Sequence, residues 1–385
     1  MGHLLESLSQ YWLRIQGSLF PWLEEELDPL TEKQQQLVAI LELVRIEKFI
    51  PSTLGCEGRP QKARGAIARS FIAKMVYNID TTTLLLERLV TDKNLRRICG
   101  WESLSLIPSE STFSRAFAEF AESALPARVH EALVKKALGD EIIQHNSRDS
   151  TAISAREKPQ PKPIAQVDSK NSSSKKRRGR PKMGEKRPEP EPKRIDRQLT
   201  MTLEEMLDDL PKGCDKGAKK DSKGNTMYWN GYKLHLDTID GGIPVSAIIT
   251  SASVHDSQVA IPLATLTARN IVNLYDLMDS AYDVPAIIEH SKSLGHVPLT
   301  DKNPRRDRQL QEEMKAEAKA RKTLNWKPVE AIRYNERSTA ERANARLKDE
   351  FGACKVRVRG HAKVVCHLMF GVLVLAADQL MRLVT

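Results

Sequence analysis

The order of predicted strands and helices in the second half of the chain constrains the fold most. Residues 228–237 and 243–251 have the aromatic, β-branched and apolar content of strands, and Asp240-Gly241-Gly242 between them is a hairpin-turn sequence. Beyond residue 254 the pattern alternates, with helices over 254–269 and 284–294 and strands over 271–277 and 296–300. With a first, weaker strand at 141–145, this order predicts an α/β fold with a mixed sheet flanked by helices.

The first 140 residues show helical periodicity almost throughout. Thr31 and Gln34 have the spacing of a capping box ahead of an apolar stripe at 37–44, and a second stripe follows at 67–76. We therefore expect an all-helical N-terminal domain over 1–140 and the α/β domain over 141–385. Helical periodicity alone fits equally a helical bundle whose only role is packing or dimerisation.

Residues 155–226 interrupt the predicted sheet. They are rich in Pro, Ser and Lys with little apolar content, so we expect a largely disordered basic insert, with a short acidic helix near 199–210. Within it, Arg178-Gly179-Arg180-Pro181 resembles an AT-hook, whose backbone lies in a narrow minor groove while arginines reach along it. A plain basic tether that binds phosphates needs only the charge, so both interpretations stay open.

The positive charge of the chain is concentrated in two segments. The formal net charge is +10; residues 156–194 hold 14 Lys and Arg against 5 Asp and Glu, and residues 302–359 hold 17 against 9. Clusters of this kind predict a polyanionic partner.

Cysteine usage and the N-terminus indicate a reduced, cytoplasmic compartment. The five cysteines are scattered without a Cys-x2-Cys pair, and their odd number argues against a disulfide framework. The N-terminus lacks the basic-then-apolar order of a secretory signal because Glu6 intrudes. The apolar run at 364–377 is too short to span a bilayer and predicts a core helix, with Cys366 as a buried thiol.

Residues 334–348 carry the most specific pattern of chemistry-bearing side chains. The stretch lacks Gly and Pro and is rich in helix formers, so we expect a helix. Tyr334, Glu341 and Lys348 recur at seven-residue intervals and Arg337 lies one turn before Glu341, which places all four on one face. Taken alone, this face also fits a solvated helix with an Arg337–Glu341 pair.

The spacing Tyr-x2-Arg-x3-Glu-x6-Lys resembles the signature that closes the catalytic domain of bacterial insertion-sequence transposases of the DDE type. In that family the Glu joins two upstream Asp residues, each at the end of a strand, in a metal-binding trio. Asp149 and Asp279 are the matching candidates, although Ala281 after Asp279 stands where a Gly is common. The resemblance implies a ribonuclease-H-like fold for the α/β domain and an N-terminal domain that recognises terminal inverted repeats.

For function, the resemblance implies cut-and-paste transposition, in which DNA is cleaved at transposon ends and the freed strand is transferred to target DNA. Asp149, Asp279 and Glu341 are then ligands of two Mg²⁺ ions, for which Mn²⁺ can substitute, and Asp149 bridges both. Tyr334, Arg337 and Lys348 are expected to contact the DNA. A homodimer is expected in the active complex.

Two other functions are compatible with the residues. A related DNA nuclease uses the same site without strand transfer, and a non-catalytic DNA-binding protein uses the Arg-Gly-Arg-Pro segment with the carboxylates as relics. Among neighbouring acids, we expect Asp283 to cap the helix from residue 284. We expect Asp256 to lie behind the site and His255 to lie there too or to be structural.

Overall fold

Helices make up the N-terminal part of the protein. The computed structural model describes residues 2–51, 63–160, 192–220, 224–304, 307–354 and 356–385. The first eight helices in this part of the chain are α1 (Gly2–Arg14), α2 (Phe20–Glu26), α3 (Glu32–Val44), α4 (Arg64–Val76), α5 (Thr82–Thr91), α6 (Lys93–Ile98), α7 (Glu110–Glu122) and α8 (Leu125–Leu138).

Strands and helices alternate in the remainder. The elements, in chain order, are β1 (Ile142–Ser154), α9 (Arg194–Gln198), α10 (Leu203–Asp209), β2 (Asp215–Lys220), β3 (Thr226–Ile239), β4 (Ile243–Ser251), α11 (Ala260–Ala268), β5 (Val272–Met278), α12 (Pro285–Ser293), β6 (Val297–Thr300), α13 (Arg308–Thr323), α14 (Val329–Tyr334), α15 (Ser338–Asp349) and α16 (His361–Met381). A single 3₁₀ turn, Asn335–Arg337, joins α14 to α15.

Local sequence signals fix where several N-terminal helices begin. The predicted capping box of α3 is present, because Thr31 Oγ1 accepts a hydrogen bond from the Gln34 N–H (3.3 Å) and Gln34 Oε1 accepts one from the Thr31 N–H (3.0 Å). Thr81 and Asp92 cap α5 and α6 through their side-chain oxygens. Each cap satisfies a backbone N–H that has no partner within its own helix.

The strands of the described residues form one mixed six-stranded sheet around β1. β3 pairs with one side of β1 in the antiparallel direction, and β5 pairs with the other side in the parallel direction, followed by β6. β3 pairs in turn with β4 over most of its length and with the short strand β2 near its start. The predicted α/β fold with a mixed sheet is confirmed, and the strands predicted at 228–237 and 243–251 are β3 and β4.

One extended hydrophobic core includes residues of both the N-terminal helices and the sheet. α16 lies in its centre, where Phe71 of α4 and Phe117 of α7 pack against Phe370 with ring centroids 5.7 and 6.4 Å apart. Leu234 and Leu236 of β3 belong to the same cluster. The boundary predicted at residue 140 therefore does not separate two cores.

α16 is apolar on all sides, and other parts of the protein surround it. In the described part of the chain it is the one helix long and apolar enough to cross a membrane, but 89% of its apolar window is buried inside the protein. A helix that is apolar on all sides is stabilised when it is buried in a large core. The prediction of a core helix at 364–377, with Cys366 buried, is confirmed.

The C-terminal part of the predicted insert is ordered. Residues 192–220 form α9, α10 and β2, and the acidic helix predicted near 199–210 is α10. Met206 of α10 packs in one apolar cluster with Ile261 and Tyr282. The prediction of disorder across 155–226 is wrong for this part, because its few apolar residues find tertiary partners that composition does not reveal.

The AT-hook-like residues Arg178, Gly179, Arg180 and Pro181 lie outside the described residues. The AT-hook therefore stays a prediction from sequence.

Candidate active site

Asp149 and Asp279 lie on adjacent parallel strands. β1 and β5 pair so that Arg148 is opposite Met278, which places the next residue of each strand, Asp149 and Asp279, at the same point of the sheet. Asp279 directly follows β5, as predicted, and its Oδ1 accepts a hydrogen bond from the Ala281 N–H at 2.9 Å. The sheet thus brings together two of the three predicted acids.

Asp149 lies inside a long strand and not at a strand end. β1 continues past Asp149 because its pairing with β3 extends to Ser154, whereas its pairing with β5 stops at Arg148. The prediction of a strand over 141–145 alone is wrong. Polar residues of β1 are buried against partners that the local sequence does not show: the Arg148 guanidinium donates two hydrogen bonds, of 2.8 and 2.7 Å, to the buried Asp237 carboxylate.

The surroundings of both carboxyl groups disfavour their charged forms. Burial raises the pKa of Asp149, and the nearby charge of Asp279 raises it further. Burial also raises the pKa of Asp279, with a contribution from the charge of Asp256. The cationic side chains around the pair do not cancel these effects, since both pKa values stay raised. A cation between the two carboxylates would relieve the repulsion.

One face of α15 is attached to β1 through Asn344. This residue is 5% exposed, and its Nδ2 donates a hydrogen bond to Asp149 Oδ2 at 3.0 Å. Glu341 lies three residues before Asn344 and Lys348 four residues after it, so both share this face. Burial lowers the pKa of Lys348, and the negative charge of Asp149 acts in the opposite direction. The helix face predicted from spacing is therefore the one that meets Asp149.

The Glu341 carboxylate does not join the two Asp side chains. The Glu341 side chain is 56% exposed, and its Oε1 accepts a hydrogen bond from Arg337 Nη2 at 2.6 Å. Within the described residues, no group of three or more His, Cys, Asp or Glu side chains is arranged to hold a metal ion. The convergence expected for the acidic trio is thus present for Asp149 and Asp279 and absent for Glu341 in this conformation.

Tyr334 and Arg337 stand beside the Asp pair. The positive charge of Arg337 lowers the pKa of Asp279, against the larger effect of burial. The Tyr334 hydroxyl donates a hydrogen bond to Asp301 Oδ2 at 2.8 Å, and the Arg337 guanidinium lies 5.7 Å from the centroid of the Tyr334 ring. Burial and the Asp301 hydrogen bond raise the pKa of Tyr334, so its hydroxyl remains a donor at neutral pH.

Lys219 and Asn344 also belong to this environment, and neither was predicted from the sequence. The positive charge of Lys219, on β2, lowers the pKa of Asp149 and of Asp279. Its only signal in the sequence is the run of lysines at 216, 219 and 220, within a segment predicted to be disordered. The sequence contains a clearer indication for Asn344, which lies three residues after Glu341 and four before Lys348 and therefore shares their helix face.

Asp256 adjoins Asp279 and has cationic partners of its own. Its Oδ1 accepts hydrogen bonds from Ser150 Oγ at 2.8 Å and from Lys233 Nζ at 3.1 Å. Burial alone would raise the pKa of Asp256, but His235 and Lys233 lower it. Asp256 therefore lies behind the Asp pair, as expected.

His255 and Asp283, two further neighbours of the site, hydrogen-bond to backbone N–H groups. The Nδ1 atom of His255 accepts a hydrogen bond from the Ser257 N–H at 3.3 Å, which is the structural role that was one expectation for it. The prediction that Asp283 caps α12 is wrong: Val284 occupies the cap position, and Asp283 Oδ2 accepts a hydrogen bond from the Asn303 N–H at 2.8 Å. Asp283 thus binds the loop after β6, a contact between segments that are distant in sequence.

The side chains around Asp149 fit a hard divalent cation. Carboxylate oxygens are the ligands that Mg²⁺ prefers, and Asp149 and Asp279 already present them together. Asn344 Oδ1 is buried and has no hydrogen-bond partner among the described residues. A buried acceptor without a partner beside Asp149 is satisfied when an ion or its bound water lies there.

Comparison with known proteins gives two matches to protein-family models. The model described as a transposase DDE domain matches residues 149–376, a range that includes Asp149, Asp279 and Glu341. The model described as a transposase domain (DUF772) matches residues 23–119, within the N-terminal helices. No curated protein and no solved structure matches the chain.

The DDE match agrees with the fold and with the chemistry of the site. A DDE domain implies a ribonuclease-H-like fold, which is an α/β fold with a mixed sheet like the one found here. Such domains generally use divalent metal ions, which suits the paired carboxylates. Because the match covers more than half of its residues, the chain belongs to the DDE transposase family.

Proposed function

We propose that this chain cleaves DNA at transposon ends and joins the freed 3′ ends to target DNA, in cut-and-paste transposition. The observation that carries the proposal is that Asp149 and Asp279 each directly follow the last β1–β5 pair, Arg148 and Met278, while Asn344 attaches the Glu341 face of α15 to Asp149. Phosphodiester chemistry of this type needs converging carboxylates and positioning of the DNA, and it needs no covalent intermediate with the protein.

Asp149, Asp279 and Glu341 are proposed to hold two Mg²⁺ ions, with Asp149 shared and Mn²⁺ able to substitute. When bound, such ions activate the attacking oxygen and stabilise the leaving oxygen. Glu341 has to separate from Arg337 to take part. An i,i+4 ion pair of this exposed kind contributes about 0.3–0.5 kcal/mol, so the rearrangement costs little.

Tyr334, Arg337 and Lys348 are proposed to contact the DNA around the scissile phosphate. Arg337, once released by Glu341, has a guanidinium that matches the geometry of a phosphate. Lys348 lies on the Asn344 face of α15, and its partial burial limits the water that competes for its ammonium group. The Tyr334 hydroxyl is protonated and its ring provides a surface on which a terminal base can stack.

The partners proposed are the terminal inverted repeats and target DNA, bound by a homodimer. The N-terminal helices are proposed to recognise the repeats, in agreement with the transposase-domain match over residues 23–119. A nuclease without strand transfer and a non-catalytic DNA-binding protein remain the competing functions.

The test of the proposal is an end-joining assay with purified full-length protein. The substrate is a labelled DNA fragment that carries the gene with its native flanks, mixed with a supercoiled target plasmid and Mg²⁺. We expect cleavage at both ends and covalent joining to the plasmid. Glu341→Gln is expected to lower joining at least about 100-fold, which corresponds to roughly 2.7 kcal/mol. The matched control is Glu336→Gln, an exposed acid five residues earlier, which is expected to behave as the wild type.

The outcomes separate the competing functions. Cleavage without joined product identifies a nuclease. Binding without Mg²⁺-dependent cleavage identifies a DNA-binding protein. Equal activity of Glu341→Gln and the wild type would remove Glu341 from the ligand set.

Replacing Asn344 by Ala is expected to slow cleavage about 10–100-fold, because Asn344 orients Asp149 from outside the proposed ligand set. The Mg²⁺ concentration for half-maximal activity is expected to rise, which a residue with a purely structural role would not cause. Arg342→Ala is the control, since the Arg342 side chain is exposed and hydrogen-bonds to Ser338 and Thr339 of its own helix. An unchanged Mg²⁺ requirement in Asn344→Ala would contradict the positioning role.

A further inference from the structure

A cavity rich in cationic side chains lies between the N-terminal helices and the segment that follows α15. Its volume is about 470 Å³. Five cationic side chains of the described residues line it, against two acidic ones: Lys74 comes from α4, and Arg156, Arg357, Arg359 and Lys363 come from the chain after β1 and around the start of α16. We call this feature the basic cavity.

Among the described residues, the protein balances the charges of the basic cavity only in part: Asp80 and Glu110 line it, and the negative charge of Asp80 opposes the effect of burial on Lys74. Arg156, Arg357, Arg359 and Lys363 are exposed at its rim, and none of them has an ion pair among the described residues. Lys74 lies at the inner wall and is only 5% exposed, with its Nζ donating a hydrogen bond to the Asp80 carbonyl oxygen at 3.2 Å. Burial lowers the pKa of Lys74 to about 8, which shows that its charge is poorly solvated there. A bound anion would compensate for this loss of solvation.

Three helices begin at the basic cavity. Thr82 and Thr83 of α5, Glu110 of α7 and Lys363 of α16 all lie in the first turn of their helix and line the cavity. The first backbone N–H groups of a helix lack partners within it, and the helix dipole favours negative charge at that end. The cap residues of α7 and α16 form no side-chain cap hydrogen bond, so backbone donors are available in addition to the cationic side chains.

The basic cavity is connected to the active site through β1. Arg156 follows Asp149 by seven residues, so an extended chain places it at most roughly 23 Å away. The segment that carries Arg357 and Arg359 lies beside the end of β1, where Ala155 and Val356 form a bridge. A duplex that rises about 3.4 Å per base pair covers this distance in about seven base pairs. The cavity and the Asp pair are thus within reach of one short DNA segment.

We propose that the basic cavity binds backbone phosphates of the DNA whose cleavage site lies at Asp149 and Asp279. The inference rests on the proposed function, and it assigns a specific surface to part of the DNA. Four of the five cations stand exposed at the rim, an arrangement suited to a polymer that passes across the opening. The site combines residues from both family-matched regions, 23–119 and 149–376, so it links the N-terminal helices to the α/β part through the DNA.

The test measures DNA binding by full-length protein as a function of salt, in the absence of divalent ions. The probe is a fluorescent 30-base-pair duplex, followed by anisotropy from low to moderate KCl. Each phosphate contact contributes about 0.9 to the slope of log Kd against log salt concentration. The double variant Arg357→Ala/Arg359→Ala is expected to bind at least about 10-fold more weakly and to reduce this slope by about 2.

The matched control removes two cations elsewhere. Arg128→Ala/Lys136→Ala changes two exposed residues of α8 that do not line the cavity. It lowers the net charge equally and is expected to change the slope by less than about 0.5. If the two double variants lose affinity and slope equally, only general charge matters and the proposal is overturned.

A second variant adds a negative charge in place of removing cations. Ser114→Glu places a carboxylate on the exposed wall of the basic cavity, whereas Ser105→Glu places one at an exposed position outside it. Ser114→Glu is expected to weaken duplex binding several-fold relative to Ser105→Glu. If inorganic phosphate raises the melting temperature of the wild type but Ser114→Glu binds duplex normally, the cavity takes small anions only and the proposal fails.

The proposal and the proposed function fail separately. Normal duplex binding by the Arg357→Ala/Arg359→Ala variant, together with end joining by the wild type, rejects the basic cavity and keeps the transposase activity. Weakened binding by this variant, together with the absence of end cleavage by the wild type, keeps the basic cavity and rejects the transposase activity.

Discussion

Replacing Asp149 or Asp279 by Asn is expected to lower Mg²⁺-dependent DNA cleavage at least about 10³-fold, which corresponds to roughly 4 kcal/mol of lost transition-state stabilisation. Asn keeps the shape of the side chain but removes the charge that holds a divalent cation. Asp149 is the more sensitive position, because it is proposed to be shared by both ions. The measurement is the single-turnover cleavage rate at saturating protein.

Stability is not expected to explain this loss. In the metal-free protein, burial raises the pKa of both carboxyl groups above their unfolded values, so their ionisation at neutral pH destabilises the fold. The stability contributed by the protonated forms is fully present below the unfolded-state pKa, and it is lost as the pH rises from that value through the higher folded-state pKa. Replacement by Asn removes this charge, and the melting temperature of the metal-free variants at pH 7 is expected to equal or exceed that of the wild type.

Asp283→Asn is the matched control for Asp279→Asn. Asp283 lies four residues later, and its side chain binds the Asn303 N–H and lies outside the proposed ligand set. We expect cleavage within about threefold of the wild-type rate for this variant, a difference of less than about 0.7 kcal/mol. Full cleavage by Asp149→Asn or Asp279→Asn would show that the paired carboxylates are not the catalytic centre.

Replacing Arg148 by Ala is expected to destabilise the protein by about 3–5 kcal/mol. Arg148 and Asp237 are 1% and 0% exposed and form a bidentate ion pair, so the variant leaves a carboxylate buried without its counter-charge. Asp237 also accepts hydrogen bonds from Thr267 Oγ1 and Asn146 Nδ2, at 2.6 and 3.1 Å, which fix it in place. The measurement is urea unfolding of the metal-free protein at pH 7.

A double variant that removes both charges tests whether the unpaired carboxylate causes this loss. Arg148→Met/Asp237→Leu removes both charges and is expected to be more stable than Arg148→Ala, because two apolar side chains replace a pair that is costly to bury. Arg128→Ala, an exposed substitution on α8, is expected to change stability by less than about 0.5 kcal/mol. If Arg148→Ala also changed the free energy of unfolding by less than about 0.5 kcal/mol, Asp237 would have to be neutralised in another way.

Arg148 also illustrates why the first strand was under-predicted. The sequence around Asn146, Ser147 and Arg148 is polar, and strand propensity depends on what packs against each face. In the folded protein, Asp237 on β3 and Asp276 on β5 provide partners for the buried side chains of Asn146 and Arg148. Both partners are about 90 residues or more away in sequence, so no local pattern contains them.

The strands β3 and β4 were predictable because their signals are local. Alternating apolar and aromatic residues around Asp240-Gly241-Gly242 define a hairpin by themselves, and Gly241 has the positive φ of 79° that favours glycine. The ordered segment from 192 to 220 was missed for the opposite reason. Its helix α10 is stable because Met206 reaches the apolar cluster of the α/β domain, a tertiary contact.

The sequence by itself determined that α15 carries Glu341 and Lys348 on one face, because the positions of side chains around a helix follow from its period alone. The single helix predicted over 334–348 is instead the end of α14, the 3₁₀ turn Asn335–Arg337 and most of α15. It also determined that Asp279 follows a strand. Only the tertiary structure decided that Asp149 stands beside Asp279, since parallel register is set by hydrogen bonds between distant segments. Tertiary structure also decided that Asn344 holds the helix on Asp149, because that hydrogen bond joins residues 195 positions apart. The pair of Glu341 with Arg337 is in contrast a local i,i+4 contact, which the helical spacing had already allowed.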